Sequence, residues 1–284
     1  AAQAAFEELM ARAEEAAVEY AKPERHGEYY YFSDDGNGGG ARILRVAVAD
    51  VEARAGGRGP PQLHAGMRGT EVVLDLGELD EDYAGASLAV VRPSPCHRFL
   101  AFTMDSGFDE YALLLRDATT GRVYDKLSPG SVVGLEWAQD ADGELHLFYT
   151  EMDEEMRPAW LHRLRVGDIL AGKPPSARWA APAVLHEPDP NVFVDVSATK
   201  NRRFLVVNFN SKLMSEVRLI PNGGGLEEVP QLVRAREPGV EYYVEHLSAA
   251  AEGDRELFVI VTNAVSGDAG NYGLVVADAG GSDP

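Results

Sequence analysis

The chain has 284 residues, 45% of them hydrophobic, with 26 Lys plus Arg against 46 Asp plus Glu and a net charge of −20. That length and apolar content suit a large repeat-built domain with a substantial core, and the negative charge disfavours nucleic acid and anionic membrane surfaces as partners. A single cysteine, Cys96, excludes an internal disulfide framework and a cysteine-rich zinc module, and fits a reducing, cytoplasmic setting with an organelle left open.

Residues 3–20 predict a helix, because Phe6, Leu9, Met10, Ala13, Ala17 and Tyr20 recur at three- and four-residue steps and Pro23 follows. The N-terminus does not open on Met and lacks the basic start and apolar block of a secretory signal, so an internal start is expected. From there helical periodicity fades. YYYF (29–32), ARILRVAVA (41–49) and EVVLDL (71–76) read as strands, with a Gly/Pro-rich loop at 55–62. No apolar run reaches membrane-spanning length; LFVIV at 257–261 is strand-sized.

A repeat follows. RFLAFTMD (98–105), ELHLFYTEMD (144–153), RFLVVNFN (203–210) and ELFVIVTNA (256–264) recur roughly every 50 residues. Each is preceded by one strand-like run (SLAVVRPSP, VVGLEWAQD, FVDVSATKN, EYYVEHLSA) and followed by another (YALLLRDATTG, AWLHRLRVG, SEVRLIPNGG, YGLVVADAGG). Three of the four then carry a short further run, VYDKLS, APAVLHEP or QLVRAREP. Four strands at this period define a β-propeller blade, whose two faces are buried only when neighbouring blades stack on it. The predicted fold class is therefore all-β: a partial propeller of about four to five four-stranded blades behind one N-terminal α-helix. The expected limits are a helix and linker over 1–26 and an incomplete propeller over 27–284, with blades near 27–84, 85–130, 131–190, 191–239 and 240–284. The last unit stops after three strands. An open ring leaves an unpaired edge and bare apolar faces, so the chain is expected to be a piece of a longer one.

Chemistry is hard to place. There is no G-x-S-x-G elbow, and Ser106, Ser131 and Ser266 lie in turn-forming company. GDAGNYG (267–273) joins two strands and opens no helix, so it lacks the context of a dinucleotide site. The seven histidines, His26, His64, His97, His146, His162, His186 and His246, show no ligand spacing, and Cys96 has no nearby cysteine partner. The acidic runs DLGELDEDY (75–83) and EMDEEM (151–156) could coordinate calcium or pair carboxylates, but read better as solvated loops between strands. The stretch FYTEMDEEMRPAWLHRLRVG (148–167) concentrates the question, since it gathers acids near His162. The repeat places Phe148–Thr150 at the end of one strand and Trp160–Val166 in the next, with EMDEEMRP as the connection. No catalytic, cofactor-binding or metal-binding residue is assigned, and no cofactor is expected.

Blade by blade, the sequence resembles the propeller half of the prolyl oligopeptidase family of serine peptidases, oligopeptidase B in particular. Residues 73–121 are similar to that family's Leu-Asp strand end, Ser-Pro turn and paired strands. Residues 135–167 match its next blade through Trp137, Phe148-Tyr149-Thr150, Arg157-Pro158 and Gly167, and residues 185–222 and 241–275 continue the likeness. Cys96-His97 departs from the usual turn residues, the loop at 53–70 is long, and 248–254 looks inserted. The resemblance implies a full ring of seven blades, and a lid and filter that admits short peptides to the active site of a C-terminal α/β-hydrolase domain, its partner in the full-length protein, with cleavage after basic residues or after Pro. The family's Ser, Asp and His triad lies in that domain, so this chain is expected to be inactive alone. The alternative is a non-catalytic propeller serving as a scaffold or interaction subunit.

Overall fold

Runs of β-branched and aromatic residues, cut by Asp, Gly, Ser and Pro turns, fold as five consecutive antiparallel sheets. The computed structural model describes residues 23–34, 41–53, 63–107, 110–172, 183–224, 226, 229–248, 255–265 and 271–279. The helix predicted at 3–20 and most of GDAGNYG lie outside them. The fold class is that of a partial β-propeller, and the chain divides into two compact units, 1–84 and 85–284.

In the first unit, β1 (Glu24–His26), β2 (Tyr29–Asp34), β3 (Arg42–Ala47) and β4 (Glu71–Asp75) form one sheet in chain order. Glu24–His26, assigned to a linker from the sequence, pairs with Tyr29–Tyr31. The run 41–49 does not stay extended. It turns at Val48 into a helical turn, α1 (Val48–Glu52), whose Val48 and Val51 are buried. Val51 and Leu63 pack with Phe32, Leu44 and Val46 of the sheet, which gives this unit its core.

The second unit repeats the meander. Its first sheet holds β5 (Ser87–Pro93), β6 (Phe99–Asp105), β7 (Tyr111–Asp117) and β8 (Val123–Tyr124). The next holds β9 (Val132–Gln139), β10 (Leu145–Met152), β11 (Pro158–Arg165) and β12 (Leu185–His186). The third holds β13 (Phe193–Ala198), β14 (Phe204–Asn210), β15 (Ser215–Pro221) and β16 (Gln231–Arg234), and the last holds β17 (Tyr242–Leu247), β18 (Leu257–Thr262) and β19 (Gly273–Asp278). Every run of the sequence repeat thus contributes its own strand. Strand β11 ends one residue before the expected Val166 because Val166–Leu170 winds into a second helical turn, α2, burying Val166 and Ile169. The pattern Val-x-Asp followed by Val or Ile is common to α1 and α2, and the two buried aliphatics at i and i+3 fold each turn back onto its sheet.

Successive sheets of this unit stack face to face. Leu113 and Leu115 of β7 pack with Leu135 and Trp137 of β9, and Phe148 of β10 packs with Val194 and Val196 of β13. Strands β6 and β10 are buried along nearly their whole length, which is why FLAF at 99–102 and LFY at 147–149 read as continuous apolar stretches instead of alternating. The final sheet differs. Its inner face, including Tyr242, Val244, Phe258 and Ile260, packs on Val206, Val217 and Leu219. On the opposite face Tyr243, Leu247, Val261, Leu274 and Val276 are exposed, with Tyr243 opposite Val261 and Val261 opposite Leu274 in the pairing register.

Candidate functional site

The acidic hairpin that the sequence singles out is a structural lock. Strands β10 and β11 meet in a tight turn over Asp153–Arg157, which makes the connection shorter than EMDEEMRP. Asp153 organises it by accepting the backbone N–H groups of Glu155 (3.1 Å) and Arg157 (3.0 Å), the local competition with regular structure that favours Asp in turns. Arg157, only 7% exposed, donates from Nε to Asp153 Oδ2 at 3.0 Å. Its remaining donors cross to the connection between β12 and β13, reaching the carbonyls of Asp189 (2.7 Å), Val192 (2.6 Å) and Glu187 (3.0 Å). Only a guanidinium offers donors in enough directions to hold a carboxylate and three carbonyls at once.

Glu151 overturns the reading of 151–156 as wholly solvated. It is buried, accepts the Ser128 hydroxyl at 2.6 Å, and lies 3.9 Å from His162 Nε2. His162 stacks on Tyr149 and Trp160, and Trp160 stacks on His186. The serine here bonds the carboxylate, not the imidazole, so this trio lacks the serine–base contact that activates a nucleophile.

A second network crosses the seam between the sheets of β9–β12 and β13–β16. Arg236 pairs with buried Glu187 and reaches buried Glu216 at 3.5 Å, while Arg218 donates to Glu216 at 2.9 Å. Both guanidinium groups lie 5.8 Å from the Phe209 ring centroid. The bond to Glu187 holds the Arg236 guanidinium still further above its ordinary pKa. Each carboxylate faces a permanent cation, so the pair is suited to fixing loops and unsuited to moving protons.

The other residues considered from sequence stay apart. Ser106 bonds the Glu110 carbonyl, and Ser131 accepts the Tyr111 backbone N–H. Ser266 lies outside the described residues. Cys96 is exposed, 3.4 Å from Ser94 Oγ, in the turn where His97 adopts a positive φ. His26 contacts Glu24, and His64 lies beside Gly66. His146 bonds Asp140 at 3.1 Å and thereby holds that carboxyl below its ordinary range. In the 75–83 run, Asp75 and Asp80 cap the short 3₁₀ turns 76–78 and 81–83. Among the described residues no group of three or more His, Cys, Asp or Glu is placed to hold a metal ion, and no helix is long and apolar enough to cross a membrane.

The seam between the last two sheets carries residues the sequence reading overlooked. Tyr242, 3% exposed, exchanges bonds with Ser215, whose Oγ accepts its backbone N–H at 2.7 Å and donates to its carbonyl at 3.0 Å. Its phenol accepts the Val217 backbone N–H at 2.8 Å and donates to the Arg234 carbonyl. Burial pushes that phenol above its ordinary pKa. At the other end of the seam, Asn201 donates to His246, and Lys200 N donates to Glu245.

Comparison with known proteins accounts for this architecture. The family model for the prolyl oligopeptidase N-terminal β-propeller domain matches residues 1–284. Protease 2 of Moraxella lacunata is 29% identical over 227 residues, covering 79% of this chain and 30% of that protein. A prolyl endopeptidase-like protein of Xenopus laevis is 34% identical over 194 residues, covering 64% of this chain and 24% of its own length. Among solved structures, oligopeptidase B from Trypanosoma brucei with covalently bound antipain superposes with a TM-score of 0.66 at 21% identity, over 92% of this chain and 32% of that one. The chain thus spans about a quarter to a third of the proteins it matches.

Proposed function

Since the chain belongs to the prolyl oligopeptidase family through its N-terminal β-propeller domain, we propose that it is the substrate-gating portion of a serine endopeptidase of the oligopeptidase B or prolyl oligopeptidase type. In this reading the propeller admits short peptides to a C-terminal hydrolase domain of the same protein, which cleaves after basic residues or after Pro. The observation that carries it is the uneven burial of the last sheet. One face is packed on its neighbour, and the other presents Tyr243, Leu247, Val261, Leu274 and Val276, the apolar pattern that a further blade would cover. The five sheets support blade limits near those expected from sequence. A net charge of −20 favours the approach of basic peptides.

The test is hydrolysis of short Arg-, Lys- and Pro-containing peptide substrates by the 284-residue chain and by the longer protein that carries it. The longer protein should turn them over and the 284-residue chain should not; activity in the short chain would overturn the reading. The same exposed face also suits a scaffold role, in which a separate partner covers it. A coding sequence that ends at Pro284 would favour that second reading.

A further inference from the structure

His246 is 2% exposed in β17, at the seam between the last two sheets. Its Nδ1 lies 2.7 Å from Asn201 Nδ2, in the turn between β13 and β14. The orientation of the Asn201 amide is set by partners that can play only one role. Its Oδ1 accepts the Arg203 backbone N–H at 3.1 Å, and its Nδ2 donates to the His246 carbonyl at 3.1 Å. Reversing the amide would oppose two donors at Arg203 and two acceptors at the carbonyl. Asn201 also accepts the Thr199 hydroxyl at 2.9 Å and donates to Ser248 Oγ at 2.7 Å.

Nδ2 has two N–H groups for these three neighbours, so one is shared; it has no lone pair with which to accept, so Nδ1 at 2.7 Å must present its own, and the neutral ring carries its proton on Nε2. Nε2 is buried without a hydrogen-bond partner, edged by the rings of Phe204 and Phe258. The charged groups facing the imidazole among the described residues are Glu256, whose carboxylate is 3.9 Å from Nε2, Glu245 on its own strand, and Arg203, which lies 3.4 Å from Glu256. Glu256 is engaged by Arg203 and too distant to accept a normal hydrogen bond from the ring.

We propose that the Asn201–His246 contact is a proton-sensitive latch: it closes the seam between the last two sheets when the imidazole is neutral and opens it when the ring takes a second proton. Protonation places an N–H at Nδ1 against the N–H of Asn201 and leaves a buried cation beside two phenyl rings. Burial already holds the ring below its ordinary pKa, as the latch requires. The sign follows. A depressed imidazole pKa contributes stability above the unfolded pKa, and that contribution is lost as pH falls towards the folded value. With one proton taken up in the open form near pH 6.5, the open fraction rises by up to about tenfold between about pH 7.5 and about pH 5.5.

Hydrogen–deuterium exchange of the intact protein carrying this chain, corrected for the intrinsic pH dependence of exchange, reads that opening directly. Peptides covering 199–204 and 242–248 should lose protection by up to about tenfold over this range. The substitution His246→Asn offers Asn201 an acceptor that does not titrate, and should flatten the dependence. An unchanged wild-type profile, or a variant that keeps the wild-type pH response, overturns the proposal. Nitrogen chemical shifts of His246 in the wild type give a second reading that needs no variant: an Nε2–H tautomer at neutral pH supports the latch, and an Nδ1–H tautomer refutes it.

Discussion

Replacing Arg157 by Ala removes the tie between the β10–β11 hairpin and the connection that leads into β13. The change deletes the ion pair with Asp153 and leaves the carbonyls of Glu187, Asp189 and Val192 without their guanidinium donor. Asp153 keeps the backbone N–H groups of Glu155 and Arg157, so its charge is not stripped bare and the turn survives. A hydrogen bond involving a charged group contributes about 1.5–3 kcal/mol, but those of one side chain do not add fully, and water can enter the vacated space. The loss expected when one partner of a buried pair is removed, about 3–5 kcal/mol, is the appropriate scale. At roughly 3 °C per kcal/mol for a protein of this size, the midpoint Tm should fall by roughly 12 °C. Arg157→Lys keeps the charge but not the directions of the donors, and should recover about half of the loss. Equilibrium urea unfolding with a common m-value measures the difference. A loss for Arg157→Ala below about 1 kcal/mol would place the residue in the range of a surface ion pair and refute the account of the lock.

Two further predictions concern the seams and turns. Tyr242→Phe orphans the buried Val217 N–H and the Arg234 carbonyl, and should cost about 1–3 kcal/mol by the same assay while exposing the last sheet to early proteolysis; a neutral result would mean that water replaces the phenol. Asp117, buried at the end of β7, is held well below its ordinary pKa by the Arg98 guanidinium and by the Thr119 and Thr120 N–H groups. A depressed carboxyl stabilises the fold above its unfolded pKa and loses that contribution as pH falls through its folded value. Asp117→Asn should therefore destabilise at pH 7 and shrink the gap from wild type in strong acid, which parallel urea titrations at the two pH values would check.

The repeat was legible because blade burial imposes a pattern on the chain. Strands buried along nearly their whole length carry continuous apolar stretches, FLAF at 99–102 and LFY at 147–149, and the turns between them need Asp, Gly or Ser. What escaped notice lacks such a signature. β1 is three polar residues, Glu24–His26, whose strand character comes only from pairing with β2. The helical turns α1 and α2 bury two aliphatic residues each, too few to register as a period, although their shared Val-x-Asp motif is visible once the two are aligned. The Arg157 lock was half legible. Asp153 and Arg157 stand four residues apart, but the three carbonyl acceptors lie 30 to 35 residues further on and are backbone atoms that no residue type announces. The same holds for Asn201 and His246, 45 residues apart, where amide and imidazole meet only because adjacent sheets are stacked.

Polar ties at every seam of the second unit also determine how damage travels. Trp137 Nε1 bonds the Arg92 carbonyl, Gln139 N bonds Asn222, and Ser215 bonds Tyr242, each linking one sheet to the next along the chain. Coupling between nearest neighbours is the arithmetic of a one-dimensional lattice, in which a lesion weakens one bond of the series and leaves the distant ones intact. Such a molecule can fray from an end, sheet by sheet, while its middle holds. The order of fraying is written in the strength of successive couplings, not in the average burial of the whole.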